Sequence, residues 1–510
     1  MTHMVQLGRL TLDDVVQVAR AGAALQVTTD VLDRVARGRE VVERLADSPQ
    51  PAYGVSTGFG ALATVSIPPP RRAALQVSLI RSHAAGTGDL LEPEVVRALM
   101  LLRLNTLASG LTGVRPVVVE TLAAMLDRGI TPAVHRYGSL GCSGDLAPLA
   151  HVALTAMGEG WVLADEGVAA AADALAQAGI EPLVLAEKEG LALINGTDGM
   201  LGMLVLAITD IADLLALSDI ATAMSVEALM GTDRVFAEDL VGLRPHPGQA
   251  RSAANLRLVL AGSPIMASHR EDTEHLVQDA YSLRCAPQVT GAARDTVDHA
   301  RGVAERELAS VIDNPVVLPD GRVESNGNFH GAPVGYALDF LAIAVADVAS
   351  ISERRTDRLL DRTRSHGLPP FLAHETGVDS GYMIAQYASA GIVSTLKRLA
   401  TPASVDSIPS SAMQEDHVSM GWAAGLKLRE AVDGLRRVIA IEMLVAARAL
   451  DLRAPLRPAA GTAAARDCIR RMVSGPGPDA EVAGEIESVV GILADGSLLA
   501  AVEDAVGDLR

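Results

Sequence analysis

Residues Gly138–His151 read GSLGCSGDLAPLAH, with Cys142-Ser143-Gly144 at the centre and Asp145 directly after. A small residue, a serine and a glycine in a row open a reaction closed to most tripeptides. Glycine has no Cβ, so the backbone at 144 can fold back sharply. Its amide nitrogen can then reach the carbonyl carbon of residue 142 and close a five-membered ring. Dehydration of Ser143 would leave an exocyclic methylene on that ring, a strong electrophile built from the chain itself. The same residue types also have a plainer use. Gly/Ser runs make tight turns, and either Ser143 or Asp145 can cap the helix that Leu146–Met157 predicts.

Six further stretches bear on the choice. They are YGVSTGFG at Tyr53–Gly60, SHAAG at Ser82–Gly86, NGTDG at Asn195–Gly199, QDAYSLRCAPQ at Gln278–Gln288, GNFHG at Gly327–Gly331 and SSAMQEDHVSM at Ser410–Met420. In order and spacing all seven resemble the histidine/phenylalanine ammonia-lyase family, and the resemblance runs from about Val15 to about Asp451. It implies that Cys142, Ser143 and Gly144 form the family's prosthetic group, 4-methylidene-imidazole-5-one (MIO). The family's usual tripeptide is Ala-Ser-Gly. Cys142 departs from it, but only its backbone enters the ring.

The chemistry explains the other residues. Removing ammonia from an α-amino acid takes a barely acidic proton from Cβ and expels a poor leaving group. An electrophile that captures the amine eases departure, as covalent catalysts do in general. A base, a carboxylate clamp and a sink for negative charge must come from the protein. The family pattern implies Tyr53 as the base, although a tyrosine's ordinary pKa near ~10 must then be lowered or the group oriented. A planar guanidinium suits a bidentate grip on the substrate carboxylate, which is the role implied for Arg284. Tyr281 lies three residues earlier and shares a helical face with it. Asn195 and Gln278 are amides able to donate to the ring carbonyl as charge builds. Phe329 would line the pocket, and Asp145 would assist ring closure with helix capping as its rival use.

Substrate choice rests on His83 and Glu415. An imidazole needs in-plane partners that accept and donate. A glutamate carboxylate accepts from an imidazole N–H, and a histidine does either. Gln414-Glu415-Asp416-His417 follows the histidine-specific pattern, whereas the aromatic-specific relatives lack this Glu. The resemblance therefore implies conversion of L-histidine to trans-urocanate and ammonia, with tyrosine or phenylalanine deamination, or an MIO-dependent aminomutase, as the alternative. A charge at a helix start is the plainer reading of Glu415. Whether Tyr53 or Glu415 takes the Cβ proton is left open by the residues.

Other chemistries fit poorly. Gly54–Gly58 satisfies G-x-S-x-G, but Pro49 and Pro51 stand where a hydrolase elbow needs a strand. Gly58-Phe59-Gly60 has no βαβ surroundings. None of the 12 histidines sits in HExxH or beside paired cysteines, so no metal site is expected. The signature of argininosuccinate-lyase-like helical scaffolds is missing, and Ser143, Tyr53 and Arg284 together argue against a non-catalytic helical assembly. A formal charge of −19 rules out a basic nucleic-acid footprint and disfavours an anionic membrane surface. Three unpaired-looking cysteines and an N-terminus without an apolar signal stretch predict a reducing, cytoplasmic setting.

The elements that must hold these residues read as helices. Hydrophobic residues are 49% of the 510 but aromatics only 3%, an Ala/Leu/Val mixture that favours close-packed helices. Periodicity predicts helices at Val95–Ala108, Val117–Leu126, Ala293–Val311 and Gly381–Leu399. Proline-free runs at Leu201–Met230, Val334–Leu360 and Met420–Leu450 predict long helices of roughly 40–45 Å each. Asp210, Asp213, Asp219 and Glu227 interrupt the first run, which argues against a membrane span. The expected fold is all-α. A long-helix bundle over 201–473 follows a mixed region over 1–200 that carries the MIO loop. Beyond the SGPGP break, an acidic tail over 474–510 holds an amphipathic helix. Apolar faces more than halfway round suggest packing across copies, and the resemblance implies a homotetramer with three chains at each site.

Overall fold

The computed structural model describes residues 4–46, 57–58, 65–142, 144–270 and 278–509; Tyr53 and Ser143 lie outside them. The protein is 61% helix and 6% strand. The eight named strands form four separate two-stranded pairs. Three of these pairs fall before residue 200, the region that reads as mixed. Each long apolar run becomes one long helix: Asp198–Ala228, Ala332–Leu360 and Gly421–Asp451. Shorter helices form at Pro93–Leu107, Pro116–Asp127, Leu146–Ala156, Ala286–Leu308 and Met383–Leu399. Two of them open on a proline at the first turn, where its missing N–H costs nothing and its fixed φ is already helical.

The chain divides into two compact units, each gathered from three stretches. The first comprises residues 1–206, 300–339 and 402–426. At its heart the helices Arg72–His83, Leu146–Ala156 and Glu189–Ile194 pack against one another pairwise. Chemistry-bearing residues stand at their ends. His83 is the last residue of the first helix, Asp145 precedes the second, and Asn195 follows the third.

The second unit comprises residues 207–299, 340–401 and 427–510. Its core contains carboxylates as well as leucines. Glu442 and Arg355 are fully buried, with Arg355 Nε 2.5 Å from Oε1 and Nη2 2.8 Å from Oε2. Ser225 and Ser352 each donate to the same carboxylate at 2.6 Å. One buried glutamate thus ties together three long helices. The acids of the Asp198–Ala228 helix are used similarly. Asp219 accepts from Ser252, Asn255 and Arg294, and Glu227 accepts from Ser263, Thr462 and the Ala459 amide. This helix and Ala332–Leu360 are long and apolar enough to cross a membrane, and the most apolar windows are 83% and 61% buried within the protein.

One expectation changes. The C-terminal tail forms two helices, Val482–Ala494 and Ser497–Val506, instead of one. Gly496 separates them with φ 77°, a left-handed conformation that interrupts the helix and that glycine adopts without penalty.

Candidate active site

The Gly138–His151 stretch is a sequence of left-handed glycines followed by a helix. Gly141 has φ 72° and Gly144 has φ 86°. At Gly144 a Cβ would collide with the Gly196 peptide, so only glycine fits. The Asp145 amide donates to the Gly196 carbonyl at 2.6 Å. The tripeptide's last residue and the NGTDG stretch are therefore locked together, backbone on backbone.

Asp145 is completely buried. It stands at the start of Leu146–Ala156 without capping that helix through its side chain. Its carboxylate instead accepts from Ser139 Oγ at 2.8 Å, Gly199 N at 2.9 Å and Met200 N at 3.0 Å. It thus caps the Asp198–Ala228 helix, 54 residues further along the chain. Burial pushes its carboxyl up to about 7, against the hydrogen bonds that favour the anion.

Two other loops converge on the residues just before the tripeptide. The Gly141 carbonyl accepts from the Gly331 amide at 3.1 Å and from Ser419 Oγ at 2.7 Å. The Met420 amide donates to the Leu140 carbonyl at 2.9 Å. His330 and His417 stack with ring centroids 5.6 Å apart. Phe329, in the same loop as His330, is half-buried and not a core residue.

Glu415 is not at a helix start, since the next helix begins at Gly421. It sits on a tight loop closed by two backbone hydrogen bonds with Ser410, at 2.8 and 3.2 Å. Between them Ser411, Ala412 and Met413 all have positive φ, a costly backbone for residues with a Cβ. Glu415 Oε2 accepts from Ser410 Oγ at 3.0 Å and from Cys142 Sγ at 3.6 Å. Burial and the Glu415 charge together push the Cys142 thiol up to about 12, so it stays protonated and able to donate. His83 is near enough for the Glu415 charge to act on it. Burial, the larger effect, holds the His83 imidazole below its usual range. Nδ1–H donates to the Leu79 carbonyl at 2.9 Å, which leaves Nε2 as an acceptor.

Asn195 is buried, and its amide donates to the Asn314 carbonyl at 2.7 Å while Oδ1 has no partner. A position at 144 that only glycine fits and a buried carboxyl at 145 suit a ring formed from residues 142–144, and Asn195 Nδ2 keeps a second N–H beside the one it gives to Asn314. The residues present fit MIO.

Gln278, Tyr281 and Arg284 belong to the second unit. Tyr281 and Arg284 share a one-turn helix, with the guanidinium 4.8 Å from the ring centre, as their spacing predicts. Tyr281 is 72% exposed and Gln278 is exposed. Arg284 Nε is buried without a partner.

Several residues of this neighbourhood are not singled out by sequence reasoning. His151 Nε2 accepts from the Gly86 amide at 3.2 Å, joining SHAAG to the tripeptide stretch. Its place inside the fourteen-residue match is the signal that could have found it. Ser139 carries the same signal. Arg103, Lys188 and Asp313 carry none.

A mainly helical scaffold that brings Cys142, Gly144, a buried carboxyl and a loop-held glutamate together has the layout of a helical amino acid lyase. The sequence profile of aromatic amino acid lyases matches residues 10–471. A histidine ammonia-lyase of Streptomyces avermitilis is 60% identical over 99% of this chain and 100% of its own. Among solved structures, a tyrosine aminomutase from Streptomyces globisporus superposes with TM-score 0.95 at 37% identity, covering all of both chains. A histidine ammonia-lyase from Trypanosoma cruzi does so with TM-score 0.90 at 37% identity, covering 99% and 96%. The chain belongs to the aromatic amino acid lyase family.

Proposed function

We propose that this chain is a histidine ammonia-lyase, converting L-histidine to trans-urocanate and ammonia through an MIO group formed from Cys142, Ser143 and Gly144. The observation that carries the substrate is the Glu415 carboxylate, held by Ser410 and Cys142 beside the tripeptide and within electrostatic reach of His83. The 60% identity to a histidine ammonia-lyase supports it independently. At 37% identity the fold is shared by an aminomutase and a lyase alike, so overall shape does not separate the reactions.

When formed, MIO supplies the electrophile that makes the amino group a better leaving group. The surrounding residues bind and orient. Arg284 pairs with the substrate carboxylate. Glu415 accepts from the imidazole N–H, and His83 meets the ring through Nε2. Tyr53 takes the Cβ proton. Asn195 and Gln278 would donate N–H groups to the carbonyl of the MIO ring, and Phe329 closes the pocket. Exposure of Tyr281 and of the apolar Tyr336, Phe340 and Ile343 supports a homotetramer whose sites each draw on three chains. A cytoplasmic setting accords with the sparse cysteines.

The test is whether purified protein generates urocanate absorbance from L-histidine. A β-amino acid from tyrosine or phenylalanine, with no urocanate, would replace this reading with the aminomutase one. Ser143→Ala cannot dehydrate to the methylidene. It should retain its oligomer size while activity falls by several orders of magnitude and the near-UV difference absorbance disappears. Normal turnover in that variant would end the MIO reading.

A further inference from the structure

Beneath the Gly196 peptide lies a group of charges that the proposed catalysis does not use. Arg103 is wholly buried and Asp198 nearly so, and their Nε and Oδ2 stand 3.6 Å apart. Arg103 Nη2 donates to the Ile312 carbonyl at 2.8 Å. Its Nε and Nη1, Asp198 Oδ2, Thr197 Oγ1 and Asn195 Oδ1 have no hydrogen-bond partner. A second buried pair, Lys188–Asp313 at 2.6 Å, lies near enough for Asp313 to act on Asp198.

Buried charges this poorly satisfied are a weak way to stabilise a fold. Apolar side chains of similar size usually do as well or better. Their position suggests what they do instead. A Cβ on Gly196 would lie 2.5 Å from Arg103 Nη1 and 2.9 Å from its Cζ, and would collide with Asp198 Oδ2. The Gly196 backbone also abuts Gly144 and accepts the Asp145 amide. Guanidinium and carboxylate thus stand against Gly196, and Gly196 stands against Gly144.

We propose that Arg103 and Asp198 are positioning residues for maturation: they hold the Gly196 peptide against Gly144 and so keep residue 144 in the folded-back backbone that ring closure needs. The proposal rests on the MIO reading and deepens it. In the reaction, the Gly144 nitrogen bonds to the carbonyl carbon of Cys142, whose oxygen leaves as water with the amide hydrogens of Gly144 and Ser143, so that this carbon becomes double-bonded to the Ser143 nitrogen. Ser143 loses its Cα hydrogen and its hydroxyl as a second water. No oxidant is involved, and the tripeptide ends lighter by two waters.

The test is the mass of the proteolytic fragment containing residues 142–144, read alongside oligomer size and unfolding temperature. Wild-type fragment should lack two waters, and if it does not, the MIO reading itself fails. Arg103→Met combined with Asp198→Leu should fold with unchanged oligomer size. Its mature fraction should fall by about tenfold or more, because ring closure is sensitive to sub-ångström placement. Arg103→Lys should recover part of it. If the double variant does not fold, isosteric Asp198→Asn carries the test, with the same direction expected. A folded variant of either kind that matures as fully as wild type overturns the proposal.

Discussion

At the scale of single residues, the proposed substrate rests most on Glu415. Glu415→Gln keeps the shape and removes the charge. If it binds the imidazole, the loss of an ionic hydrogen bond is about 1.5–3 kcal/mol, or roughly a ten- to hundredfold fall in kcat/KM for histidine. Under the proposed assignment of Tyr53 as the base, Tyr53→Phe should be more damaging and act mainly on kcat. Steady-state kinetics on both variants decide the assignment, and an unimpaired Glu415→Gln enzyme would remove the argument for histidine. Cys142 is a more mixed case. In the proposed ring its side chain would be only a substituent. Its thiol, however, lies 3.6 Å from the Glu415 carboxylate. A weak S–H donor is worth less than an ordinary hydrogen bond, itself about 1 kcal/mol. Cys142→Ala should therefore keep most of its kcat, with KM raised by about fivefold at most. Loss of kcat with the fragment fully matured would point to a role for the thiol beyond holding Glu415.

At the scale of elements, the site is assembled from helix ends. Three mutually packed helices deliver His83, Asp145 and Asn195 at their termini, and Asp145 joins the second to the start of Asp198–Ala228. His151 ties this group to Gly86. Burial and the neighbouring His135 lower its imidazole to about 4, and its Nε2 must stay unprotonated to accept from Gly86. The unfolded chain takes up a proton near the ordinary pKa of ~6.5, while the folded chain does not until about 4. Stability from His151 is therefore full above ~6.5 and is lost as pH falls from there towards 4. His151→Gln keeps an acceptor without a titrating group. Its unfolding temperature should fall less steeply over that window than the wild type's, and parallel curves would show that His151 contributes nothing to acid lability.

At the scale of the whole molecule, stability in the second unit depends on Glu442. Replacing it with Gln leaves Arg355 buried and unpaired, which typically costs about 3–5 kcal/mol. Urea unfolding should show that loss as a lower midpoint. A midpoint within error of wild type would mean that the three helices are held by apolar packing alone.

How much of this is legible without the structure depends on how far apart the partners lie in sequence. Helices read well because their signal is local. A run such as Leu201–Met230 repeats apolar residues with no proline, and the chain has little choice but to coil. The tripeptide reads well for the same reason: Gly144 follows Ser143 directly, and ring chemistry needs only neighbours. Capping by Asp145 is half legible. A carboxylate before a helix signals a cap, but the helix it caps is reached at Gly199, 54 residues later, and sequence offers no way to choose between them. The contacts of Glu415 with Cys142, of Glu442 with Arg355, and of Arg103 with the Gly196 peptide join residues far apart along the chain. Nothing in a single sequence marks which buried cation meets which carboxylate, because that depends on where packed helices place their faces. Local covalent and conformational constraints thus made the Cys142-Ser143-Gly144 stretch and the helices legible. Only tertiary packing decided which polar groups stand around the turn and what holds it in place.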